Sequence, residues 1–95
     1  MIKVSAVGRL CKDAETFTYG AGKVGINFDL ACNSYGRDEA TYIRCKIFNR
    51  EGLAPHLKMG DQVIINGDLE IRNVDGNYYT SIIVSELEFG AKKQH

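Results

Sequence analysis

The sequence predicts an all-β fold: a small barrel of five strands with one short helix. Three observations lead there. Four stretches alternate apolar and polar residues with period two, the mark of half-buried strands, and a fifth, Tyr78–Phe89, is rich in Ile, Val and Tyr. Gly8 and Gly67 interrupt two of those stretches, where the strands of a small barrel have to bend. The one stretch with helical spacing, Leu53, Ala54 and Leu57, contains Pro55 and falls between the third and fourth strands, so it is short.

The first strand is predicted over Ile2–Leu10. Ile2, Val4, Ala6 and Leu10 share one face; Lys3, Ser5, Val7 and Arg9 share the other. Cys11–Gly22 reads as a loop or irregular extension, closed by a turn at Tyr19-Gly20-Ala21-Gly22. Lys23–Asn33 alternates most cleanly, with Val24, Ile26, Phe28, Leu30 and Cys32 on the apolar side. Ser34–Ala40 is polar and contains Gly36, which suits a hairpin connection into the third strand, Tyr42–Phe48. After the short helix, Met59-Gly60-Asp61 leads into Gln62–Arg72, where Val63, Ile65, Leu69 and Ile71 are expected to face inward. Asn73–Asn77 carries the Asp-Gly signal of a tight hairpin, and Tyr78–Phe89 is the last strand. Three strands, a helix and two strands is the element order of the OB-fold, a five-stranded Greek-key barrel that often binds oligonucleotides. An SH3-type barrel is the alternative; the long final strand and the position of the helix argue against it.

Ninety-five residues with 44% hydrophobic content make one folded domain with a single core, assigned to 1–90, followed by a short polar tail, 91–95. Twelve Lys and Arg balance twelve Asp and Glu, so whole-chain charge gives no support to nucleic-acid binding, which would have to come from local arrangement. No apolar run is long enough to span a membrane and no signal peptide opens the chain, which predicts a cytoplasmic location. Cys11, Cys32 and Cys45 are odd in number and widely spaced, and His56 and His95 complete no ligand cluster; reduced thiols, no metal and no cofactor are expected. Asp13, Glu15, Asp38, Glu39, Asp68 and Glu70 are scattered, with no base and nucleophile placed together, so a binding module is expected in preference to an enzyme.

The stretch that carries function is Thr41–Phe48. Ile43, Cys45 and Ile47 form a core face; Tyr42, Arg44, Lys46 and Phe48 form the other. Rings at both ends with cations between them supply what a single nucleic-acid strand needs: π-faces to stack on and charge for phosphates. The plainer reading is an amphipathic strand whose rings are covered by a loop or another subunit.

Several segments in register bear a likeness to a known family. Val7-Gly8-Arg9-Leu10-Cys11-Lys12-Asp13-Ala14-Glu15 is similar to its opening strand and Asp-Pro-Glu continuation, and Asn27-Phe28-Asp29-Leu30-Ala31 to its Asn-Phe-Ser-Leu-Ala. Tyr42–Phe48 matches its aromatic, Arg and Phe pattern. Leu57–Val63 with Asn66-Gly67-Asp68-Leu69, and Tyr79-Thr80-Ser81, match its later strands. The sequence thus resembles the bacterial and phage single-stranded DNA-binding proteins over nearly its whole length. The resemblance implies an OB-fold that binds and protects single-stranded DNA without regard to sequence during replication, recombination or repair. It places Tyr42 and Phe48 as stacking rings, with Tyr35 near another such position, and Arg44 and Arg72 at matching arginines. Lys3, Arg50 and Lys58 stand at commonly basic positions; Arg9 lies within the opening motif, and Lys46 joins them by its face. It also implies a homo-oligomer, a tetramer or else a dimer, and contacts with replication or recombination proteins.

There are departures. The sequence has no Trp, so the ring expected after Arg72 is missing; Ala14 replaces a Pro; Asp68 and Glu70 are expected to face outward and repel phosphates. The chain ends at His95 without the family's flexible linker and acidic tip, as expected of a minimal phage or mobile-element version or of a truncated chain. Two other readings remain: a primosomal accessory protein of the same fold that also binds a helicase or primase, and an OB module whose face takes a protein partner.

Overall fold

The computed structural model describes residues 1–33 and 39–90. It contains strands β1 (Lys3–Leu10), β2 (Glu15–Tyr19), β3 (Lys23–Asn33), β4 (Ala40–Phe48), β5 (Gln62–Val74) and β6 (Asn77–Phe89), with a 3₁₀ turn, Glu51–His56, between β4 and β5. The tail at 91–95 and most of the predicted hairpin connection lie outside the described residues.

β3 organises the sheet. Along one edge it pairs antiparallel with β4, from Gly25↔Phe48 to Asn33↔Ala40. Along the other it is shared, first by β2 and then by β1, which joins it at Arg9↔Ala31 and Leu10↔Leu30. β1 continues onto β5, β5 pairs with β6, and β6 runs parallel to β4 over Ser81–Ile83. The order β3-β4-β6-β5-β1 therefore returns to β3 and closes a five-stranded barrel of OB topology. The 3₁₀ turn lies between its third and fourth strands, as the sequence predicts.

Closure buries the predicted apolar faces. Leu10, Ile26, Phe28, Leu30, Cys45, Ile47, Val63, Ile65, Ile82 and Val84 form the core, and Leu57, just past the 3₁₀ turn, is fully enclosed with them. Each such aliphatic side chain contributes about 1.5–3 kcal/mol by leaving water. The bend at Gly67 is real. The β5–β6 register shifts between Asn66 and Gly67, and a Cβ there would run into the Ile83 carbonyl oxygen. At Gly8 the register against β5 is continuous, so no bulge lies there, and a Cβ would run into the Ala31 carbonyl oxygen of β3.

Two expectations need correction. Glu15–Tyr19, within the predicted loop, is a strand appended to β3 outside the closed barrel. Ile71 does not face inward. Beyond Leu69 the β5–β6 hairpin outruns the barrel, and residues 71–80 are exposed on both sides of a two-stranded ribbon. Asp75 (φ 51°) and Gly76 (φ 83°) close that ribbon as a type I′ turn, the geometry the Asp-Gly pair favours.

Candidate nucleic-acid interface

Burial of Cys45 and Ile47, with Ile43 partly buried beside them, puts Tyr42, Arg44, Lys46 and Phe48 on the outside of the barrel. Register then decides what stands beside them. Asp29 lies across from Arg44 on one side and Ser81 on the other; Asn27 and Ile83 flank Lys46 in the same way. One pleat along from Ser81 is Tyr79, paired across the ribbon with Arg72. Asp29, Arg44, Lys46, Arg72, Tyr79, Thr80 and Ser81 line an open cleft of about 460 Å³. A smaller cleft on the other side of the Arg44–Asp29 pair is lined by Lys12, Asp13, Glu15 and Asn27. The two clefts share Asp29 and Arg44, so a track runs over β4 from the base of the ribbon towards the segment between β1 and β2.

The cations differ in what already holds them. Arg44 Nε donates to Asp29 Oδ1 at 2.9 Å and Nη2 to Oδ2 at 3.4 Å. That hydrogen bond, with the attraction of the carboxylate, raises the pKa of the guanidinium further. Lys3 pairs with Asp68 at 3.1 Å, Lys58 with Asp13 at 3.7 Å, and Arg9 Nη1 donates to the Gly60 carbonyl at 2.9 Å. Among the described residues Lys46 and Arg72 have no ion-pair partner, so the cleft between β4 and the ribbon holds two cations ready for an anion. Exposed pairs such as Lys3–Asp68 contribute only about 0–1 kcal/mol each and are readily given up for a phosphate.

The rings also divide. Tyr42 is 70% exposed and Tyr79 59% exposed. Phe48 is half-buried, edge-on to Tyr19 (centroids 4.9 Å apart) and Phe17 (5.9 Å) of β2. Gly25 of β3 lies between Phe17 and Phe48 in register, and a Cβ there would enter the Phe17 ring; its bareness lets the rings meet across the strand. Tyr19 Oη is fixed by a 2.9 Å hydrogen bond to Asn49 Oδ1.

Of the residues expected from the sequence, Tyr42, Arg44, Lys46, Phe48 and Arg72 share the outer face of β4 and the ribbon. Lys3 stands on β1 in the same transverse row as Lys46, beyond Ile83 and Asp68. Arg50 is exposed just after β4. Lys58 and Arg9 are held near the β1–β2 connection and the Gly60 turn, apart from the larger cleft. Asp68, expected to repel phosphates, is neutralised by Lys3. Tyr35 lies outside the described residues. Sequence reasoning missed Tyr79 and Lys12 as site residues. The signal for Tyr79 was its place two residues before Ser81, on the same side of the last strand. Among the described residues no group of three or more His, Cys, Asp or Glu is placed to hold a metal ion.

Comparison with known proteins bears on what such a face is for. The model of a family described as "Single-strand binding protein family" matches residues 1–90. Single-stranded DNA-binding protein 3 of Listeria innocua is 34% identical to this chain, aligned over all of it and over 67% of its own length. The single-stranded DNA-binding protein of Oceanobacillus iheyensis is 31% identical, covering 92% of this chain and 62% of its own. That of Bacillus cereus is 32% identical, covering 94% and 59%. The chain spans about three fifths to two thirds of the length of these relatives.

Proposed function

The chain belongs to the single-strand binding protein family, and from that premise we propose that it binds and protects single-stranded DNA on the outer face of β4 and the β5–β6 ribbon, without strict sequence requirement. The observation that carries the reading is local: exposed Tyr79 lines one cleft with Lys46 and Arg72, which have no ion-pair partner among the described residues, and exposed Tyr42 stands on the same outer face of β4 as Lys46, in a chain whose net charge is zero. Bases stack on the rings, and the cations take the phosphates on either side. The Arg44–Asp29 pair spans the floor, where Arg44 has donors left to share. Phe48 adds the edge of a ring already fixed by its neighbours. The role is one of binding alone and calls for no catalytic group.

The settings proposed for this activity are replication, recombination or repair in the cytoplasm, alongside proteins of those processes. The protein acts there as a homo-oligomer, a tetramer or else a dimer. Val7 and Ile64, paired on the outer face of β1 and β5, are 51% and 37% exposed, and β1 along Lys3–Val7 is paired to β5 alone. An apolar pair beside an open strand edge suits contact with a second copy. Light scattering at tens of micromolar should give a multiple of the 10.6 kDa chain mass; a monomer mass refutes the assembly. For the binding itself, titration with poly-dT and with duplex DNA at two salt concentrations is decisive. Preference for poly-dT that weakens with salt supports the reading, and equal or absent binding refutes it.

A further inference from the structure

We infer that Asp29 is a positioning residue that withholds Arg44 from the phosphates, so that Lys46 and Arg72 hold the backbone of the strand where it crosses the larger cleft. The inference rests on the proposed single-strand binding and adds to it which cations take part. Arg44 lines both clefts, and by position alone it would count among the phosphate contacts.

What sets Arg44 apart is how it is held. Asp29 and Arg44 stand opposite one another in the β3–β4 register. Arg44 Nε donates to Asp29 Oδ1 at 2.9 Å and Nη2 to Oδ2 at 3.4 Å, so the carboxylate takes one edge of the guanidinium at two points. The pair is formally neutral. From β2, Glu15 lines the smaller cleft with it and adds to the negative field on Arg44. Lys3 and Lys58 also have carboxylate partners, but an ammonium is a point charge with no such edge. A phosphate that took Arg44 from Asp29 would break the two-point contact. It would also leave unpaired, beside its own negative charge, the least exposed carboxylate of the three ion pairs among the described residues. The N–H groups on Arg44 Nη1 remain free to donate to a base or sugar, but Asp29 cancels the charge that would draw a phosphate to them. Lys46 and Arg72 line the same cleft and have no ion-pair partner among the described residues, so their charge is uncancelled.

The test is the salt dependence of oligo-dT binding. It compares the full chain, Asp29→Asn, and the double variant Asp29→Asn with Arg44→Gln, with thermal melting to show that the variants fold. Each phosphate neutralised on a single strand adds about 0.7 to the steepness of log K against log salt. Asp29→Asn frees the guanidinium, so its slope should be steeper than the wild type's by about 0.7. It should bind more tightly at low salt, and that gain should shrink about fivefold for each tenfold rise in salt. Asp29→Ser makes the same charge change and should give the same slope. In the double variant one neutral pair replaces another, and the slope should return to the wild-type value. An unchanged slope in Asp29→Asn and Asp29→Ser overturns the inference, because Asp29 is then not what keeps Arg44 from a phosphate. A steeper slope that survives in the double variant also overturns it, because the change then comes from losing the repulsion of Asp29 alone. Either result leaves single-strand binding standing, whereas failure of the wild type to bind oligo-dT overturns both.

Discussion

Replacing Tyr42 and Phe48 separately with Ala distinguishes rings that stack on DNA from rings that hold the fold. Phe48 meets Tyr19 and Phe17 edge-on, and such pairs contribute about 0.5–1.5 kcal/mol each beyond the area they bury. Losing both costs roughly 1–3 kcal/mol, and in a domain of this size each kcal/mol lowers Tm by about 4–8 °C. Phe48→Ala should therefore melt at least about 4 °C lower. Tyr42 is 70% exposed and meets no ring among the described residues, so Tyr42→Ala should stay within about 0.5 kcal/mol of the wild type in stability. On DNA each variant should lose about 1–3 kcal/mol, roughly 5- to 150-fold in Kd. The paired assay is thermal melting and fluorescence titration with oligo-dT on both variants. Unchanged affinity in Tyr42→Ala refutes its role as a stacking platform. A lowered Tm with intact affinity in Phe48→Ala assigns that ring to packing against β2 alone.

Three further outcomes follow from the same geometry. Lys46→Gln should reduce the slope of log K against log salt by about 0.7, the value for one phosphate contact on a single strand; Lys3→Gln should change it less, because Asp68 already holds Lys3. Ile47→Asp should abolish folding by circular dichroism, since Ile47 is 2% exposed and a carboxylate there has no partner. Burial, with smaller contributions from Cys32 and Asp29, pushes the Cys45 thiol from 9.0 up to about 12, so the native state keeps its proton after the unfolded chain has lost it. This contribution to stability is whole below pH 9.0 and falls as pH rises toward about 12; the fall in Tm over that window should be shallower in Cys45→Ala.

The barrel was legible because its strands carry two-sided patterns. Lys23–Asn33 alternates without a break and its bounds are those of β3, while Asp75-Gly76 specified its turn through backbone conformation alone. β2 was not legible as a strand. Glu15-Thr16-Phe17-Thr18-Tyr19 has only two rings on its apolar side and no core to face. What holds it is pairing to the free edge of β3 and the ring cluster at Gly25, neither of which is local in sequence. Ile71 shows a different limit. Period two tells which side of a strand a residue takes, not how far the strand runs beyond its neighbours, so an apolar residue on the inward side came out exposed on the ribbon. The same extension carries Tyr79 to the cleft. The outer face of β4 followed from alternation alone, whereas the Arg44–Asp29 contact required the β3–β4 register.

The central claim is that one face of the barrel binds the strand, and backbone amide chemical-shift mapping with a short dT oligomer tests it most directly. The account predicts that the largest shifts fall on Tyr42–Phe48, Arg72 and Tyr79–Ser81, with Val7 and Ile64 little affected. Shifts concentrated on the outer face of β1 and β5, with β4 and the ribbon unmoved, would contradict it.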